Sequence, residues 1–159
     1  MRFVDLADGG RRLAELLTPE VVADAVLLAV PPGGVRVAAA VADALGTDVS
    51  HLDVSHLGVT HLVVSHLVVS RTDDGVTVEV PVDVTGRRVV VVDDGVETGT
   101  AARAVAAALR EAGAAYLVLA VPVCPREVEA DLRRRYDAVI AVTRPLVRRS
   151  LRWHYETFA

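Results

Sequence analysis

The 159-residue chain has no lysine, asparagine or glutamine, a single cysteine (Cys124) and only 4% aromatic residues. One thiol excludes an internal disulfide framework and an all-cysteine zinc site. Without lysine, every permanent side-chain cation is one of 17 arginines. A catalytic cation must therefore be arginine or a metal. No apolar run approaches the ~20 residues a membrane helix needs, and the one at Val26–Val30 runs straight into Pro31-Pro32-Gly33-Gly34. The opening Met1-Arg2-Phe3-Val4-Asp5 lacks the apolar core of a secretory signal. The net charge of -4 lacks the basic footprint of a nucleic-acid binder. The expectation is a soluble cytoplasmic protein with neither membrane nor nucleic acid as partner. An apolar fraction of 52% excludes a disordered chain, and the length suits one domain over residues 1–159.

Four continuous apolar runs stand out: Val26–Val30, Val89–Val92, Leu117–Val121 and Ala138–Val142. Runs without polar alternation predict strands buried on both faces, the habit of parallel sheets under helices. Between them lie segments of helical periodicity at Val35–Leu45, Ala101–Ala112 and Arg126–Tyr136, with a further amphipathic stretch at Leu6–Leu17. The alternation predicts an open, mainly parallel, doubly wound α/β sheet.

Residues 49–80 break that rhythm. A pentad recurs from His51, His56, His61 and His66, and Thr72-Asp73-Asp74-Gly75 then leads into the alternating Val76–Val80. The Val and Thr content and the turn signal predict a β-hairpin insert. A metal site is the weaker reading, because strand positions five apart point to opposite faces. A regulatory or oligomer surface is a third.

The segment Val89–Ala102 carries the most chemical information. Four valines end in Asp93 and Asp94; Gly95, Val96, Glu97, Thr98, Gly99 and Thr100 follow and open a helix at Ala101. In open α/β sheets ligands bind beyond the carboxyl ends of strands, and a helix start offers N–H groups and a positive dipole end to a phosphate. Adjacent carboxylates accept hydrogen bonds from a vicinal diol. Phosphate plus diol describes a ribose 5-phosphate. The bland alternative is a strand-to-loop turn with a threonine N-cap.

This segment resembles the phosphoribosyl-diphosphate (PRPP) signature of type I phosphoribosyltransferases, in particular a bacterial branch whose loop reads Asp-Asp-Gly-x-x-Thr-Gly. The likeness extends to Phe3–Ala14, Val30–Val35, Val121–Pro125 and Trp153–Phe158. It implies transfer of the ribosyl 5-phosphate group from PRPP to a nitrogen acceptor such as a nucleobase, with release of pyrophosphate. It also implies a Mg²⁺ ion held through PRPP, with Asp93 and Asp94 reaching it at most through water. Carried over, Asp93 and Asp94 hold the ribose hydroxyls, and Val96 to Ala101 wrap the 5′-phosphate. Pro31, Pro32, Gly33 and Gly34 contact pyrophosphate. Glu97 stands as a candidate general base or a solvated loop carboxylate.

Two departures qualify the likeness. Relatives read Pro-Arg-Gly-Gly-Val-Pro where this chain reads Pro-Pro-Gly-Gly-Val-Arg, so Arg36 is either the displaced cation or an ordinary helix-surface residue. In place of a cationic mobile loop stand the pentads and Arg71. A non-catalytic PRPP- or nucleotide-binding regulator is therefore the alternative to an enzyme. The aromatic tail covers the acceptor end of the site, forms a subunit contact or packs on the sheet edge. Sheet edges and the apolar hairpin suggest a homodimer.

Overall fold

A computed structural model describes residues 1–45 and 63–159. Its frame is a five-stranded parallel sheet in the order β2-β1-β5-β6-β7, with β1 at Ala25–Ala29, β2 at Val63–His66, β5 at Arg88–Val92, β6 at Tyr116–Val123 and β7 at Ala138–Thr143. A separate antiparallel hairpin joins β3 (Val68–Thr72) to β4 (Gly75–Glu79). The helices are α1 (Leu6–Ala14), α2 (Pro19–Val22), α3 (Gly33–Ala44), α4 (Thr100–Glu111) and α5 (Arg126–Arg135), and a 3₁₀ turn spans Leu151–His154. The expected α/β class and parallel sheet are observed. Among the described residues no helix is long and apolar enough to cross a membrane.

The valine runs build two cores because successive strand residues face opposite ways. Leu27, Val90, Val92, Val118 and Ala120 meet α1 and α3 on one face. Val26, Leu28, Val89, Val91, Leu117 and Leu119 meet α4 and α5 on the other. Asp5 starts α1 by accepting the Asp8 N–H at 2.8 Å, an N-cap that satisfies one orphan donor.

The expected hairpin over 49–80 is narrower than that. Val63–His66 leave it and pair in parallel with β1, Val26 lying opposite Val63 and Ala29 opposite His66. Leu67 N–H then donates to Ala29 O at 2.9 Å, which drops the Leu67 side chain into the second core. Burial of that side chain, worth roughly 1.5–3 kcal/mol, favours the sheet over a longer hairpin. Of the four pentad histidines, His66 sits exposed on edge strand β2. His51, His56 and His61 lie outside the described residues. Among the described residues no cluster of three or more His, Cys, Asp or Glu is arranged to hold a metal ion.

Candidate functional site

Strand β5 delivers Asp93 and Asp94 to the carboxyl edge of the sheet, and the loop to α4 curls beside them. Together with Pro31, Pro32, Arg71 and Leu151, residues Asp93–Ala102 line a cavity of about 260 Å³. The cis Pro31–Pro32 peptide lies at its rim, just ahead of α3. Beneath the carboxylates α3 begins with two glycines that leave no room for side chains. A Cβ on Gly33 would overlap the Asp94 carboxyl group, and one on Gly34 would stand 2.7 Å from Val92 O and 3.0 Å from Asp93 Cα. Gly33 and Gly34 thus let α3 seat directly against the acidic pair. They support the site from below and do not line the cavity.

The loop is folded by its own polar groups. Gly99 takes φ +87° in the left-handed region, which glycine adopts without a Cβ penalty. The hydroxyls of Thr98 and Thr100 stand 3.1 Å apart at the start of α4. Arg103, one turn into α4, donates to Thr98 O at 3.2 Å and to Asp131 on α5 at 3.4 Å, bracing the loop against its neighbour. Val96 lines the cavity, but its N–H is committed to Val123 O at 2.9 Å. The wrapping by N–H groups expected of Val96–Ala101 therefore excludes Val96.

Electrostatics single out the carboxylates. Removal from water raises the pKa of Asp93 well above the ordinary carboxylate range, and the adjacent Asp94 charge adds to the effect. Loss of hydration likewise raises Asp94. The Arg71 guanidinium, brought in on β3, pulls both the other way. Carboxylates perturbed in this way and facing a cavity make this junction the candidate functional site. Stability follows from the sign of these shifts. A carboxyl with a raised pKa binds its proton more tightly when folded, so its favourable contribution is complete below the ordinary carboxylate range. That contribution disappears as pH rises through the raised pKa. Asp93→Asn, which keeps an oxygen for the Asp94 N–H now held at 2.7 Å, is expected to raise Tm at neutral pH by about 2–4 °C. The gain should fade as the pH is lowered through the raised pKa, and thermal unfolding across pH checks it.

Glu97 and Arg36 each carry two sequence readings. The Glu97 side chain lines the cavity, but its Oε1 accepts the Leu151 N–H at 2.6 Å. Arg36 lies in the first turn of α3 as expected. It lines a separate groove with Arg11 and Asp43 between α1 and α3, so it is not brought to the carboxylates; the following helix points that position away. Sequence reasoning overlooked Leu151, Tyr155 and Arg103. Only the concentration of aromatics at the tail signalled part of this set.

A family model described as the phosphoribosyl transferase domain matches residues 6–145. A Mycobacterium tuberculosis H37Rv protein with a provisional phosphoribosyl transferase name is 39% identical over 64 residues, covering 40% of this chain and 14% of that protein. The match therefore takes in a small part of the curated relative. Among solved structures, the protein TT1426 from Thermus thermophilus superimposes with a TM-score of 0.78 at 24% identity, covering 100% of this chain and 92% of the other. The hypoxanthine phosphoribosyltransferase of Trypanosoma cruzi, in complex with its product IMP, gives 0.61 at 19% identity over 84% of this chain and 75% of that one. At these identities the two structural likenesses are likenesses of fold.

Proposed function

The chain belongs to the phosphoribosyl transferase domain family, and from that membership we propose that it transfers the ribosyl 5-phosphate group of PRPP to a nitrogen acceptor, releasing pyrophosphate. The observation that carries the reading is the junction of β5 and α4. Two carboxylates of raised pKa, a glycine-threonine loop and a helix start share one cavity, together with an arginine from a distant hairpin. Ribose hydroxyls donate to Asp93 and Asp94. The 5′-phosphate sits at the start of α4, where the Thr98 and Thr100 hydroxyls and the helix dipole favour it. Pro31 and Pro32 form the rim on the pyrophosphate side. Arg71 supplies positive charge above the carboxylates and stabilises the departing pyrophosphate.

The residues fit a Mg²⁺ ion brought in with PRPP. The nearby donors are oxygens, which suit Mg²⁺, and two carboxylates disfavoured as a charged pair gain from a cation. Asp93 and Asp94 would hold it through water. Bound there, the ion would neutralise charge on the leaving pyrophosphate. The fold of the hypoxanthine enzyme suggests a nucleobase acceptor.

Titration calorimetry with PRPP and Mg²⁺ tests binding, and pyrophosphate release over a panel of nucleobases tests transfer. Saturable binding with release for at least one base is expected. Failure to bind PRPP would end the reading. Arg71 is the sole cation among the described residues lining the cavity, and this favours a second reading: a PRPP-responsive regulator. Binding without release on any base selects it.

A further inference from the structure

The tail beyond Ser150 is tied to the candidate loop and to the start of the chain at once. Tyr155 pairs in parallel with Phe3. Phe3 N–H donates to His154 O and Glu156 N–H to Phe3 O, both at 2.7 Å. The Tyr155 ring is 2% exposed and packs on Phe3 and Phe158 at centroid distances of 5.3 and 5.4 Å. From this socket its hydroxyl donates to Asp94 O at 2.5 Å. Earlier in the tail, Leu151 N–H is held by Glu97 at 2.6 Å, and the Leu151 side chain occupies the space a Cβ on Gly95 would need.

These contacts land on Asp94, Gly95 and Glu97, between the acidic pair and the phosphate loop. The peptide joining Asp94 to Gly95 is poorly determined by its own sequence, because glycine accepts many orientations and Gly95 has φ +149°. A hydrogen bond to the Asp94 carbonyl fixes that plane from outside. We propose that Tyr155 is a positioning residue for the PRPP site, and that Glu97 serves as the anchor for the tail rather than as a base. Tyr155 sets the Asp94–Gly95 peptide, and the Glu97–Leu151 bond keeps the tail seated. This rests on the PRPP reading above.

Tyr155→Phe keeps the ring and removes the hydroxyl. It is expected to raise the PRPP Kd and KM by about 5- to 10-fold, the effect of one well-placed hydrogen bond, with kcat changed less than about 2-fold. Tyr136→Phe is the matched control. That buried hydroxyl also donates to a carbonyl, Ala102 O at 2.7 Å, so a similar fall in Tm is expected with PRPP affinity within about 2-fold of the parent. Glu97→Gln retains an oxygen for Leu151 N–H and is expected to keep pyrophosphate release within about 3-fold. Glu97→Ala should show the 5- to 10-fold loss. Unchanged PRPP affinity in Tyr155→Phe, an equal loss in Tyr136→Phe, or a Gln variant as impaired as Ala would overturn the proposal. If Tyr155→Phe is insoluble, the Glu97 variants decide it. Parent protein that binds no PRPP sinks the functional reading itself, which is a different result from a parent that binds and variants that do not differ.

Discussion

Alanine at position 33 should cost about 30- to 100-fold in PRPP affinity while changing the stability of the fold little. The added methyl would fall on the Asp94 carboxyl group, the far end of a side chain that can rotate out of the way. Relief is therefore cheap for the fold and expensive for the site, since the carboxylate that moves is one of the two proposed to accept from the ribose. A hydrogen bond to a charged group contributes roughly 1.5–3 kcal/mol, and 1.4 kcal/mol is tenfold in affinity. Alanine also favours the first turn of α3 by up to about 1 kcal/mol over glycine, which offsets part of the crowding. Calorimetry with PRPP and Mg²⁺ beside a thermal melt separates the two effects. Affinity within about threefold of the parent would show that Asp94 is not held where the ligand needs it.

Alanine at position 10 should do the reverse and damage the fold. Gly10 lies in α1 where the helix crosses α3, and a Cβ there would stand 2.5 Å from Val37 O and 2.7 Å from Ala40 Cβ. Neither neighbour is a flexible side-chain end, so the helices must part. Overpacking of this kind costs typically 1–3 kcal/mol and sometimes more. The helix-propensity gain of about 1 kcal/mol works against it and loses. The expected net loss is about 1 kcal/mol, which lowers Tm by about 2–4 °C in a chain of this size. An unchanged melting temperature would mean that α1 and α3 slide apart freely.

The four buried strands of the central sheet were legible because each is a continuous valine-, leucine- or alanine-rich run, and the helices because apolar residues recur at helical spacing between them. The candidate site was legible where its residues are contiguous, from Asp93 to Ala101. Pro31, Pro32 and Arg71, distant in sequence but expected at the site from the resemblance, also line the cavity; what was not legible is how the tail packs onto it. Nothing local tells that Leu151 and Tyr155 return across the end of β5, since their partners are 54 and 61 residues away. Arg36 had two readings in the sequence, a displaced cation or a helix-surface residue, and only the turn of α3, which carries it into another groove, separates them. The pentads show the limit most sharply. Val63-Val64-Ser65 and Val68-Val69-Ser70 are identical triplets, yet the first joins a parallel sheet and the second an antiparallel hairpin. Propensity cannot separate identical sequences; the partner strand decides, and the partner for the first copy is β1.

The pairing of Phe3 with Tyr155 makes the two segments that carry them a common clasp over the end of β5. Peeling either one loosens the other, and with it the backbone next to the acidic pair. By reciprocity, a ligand that prefers the clasped form also resists that fraying. Occupancy of the crevice and the seating of the two segments are then one equilibrium seen from opposite sides.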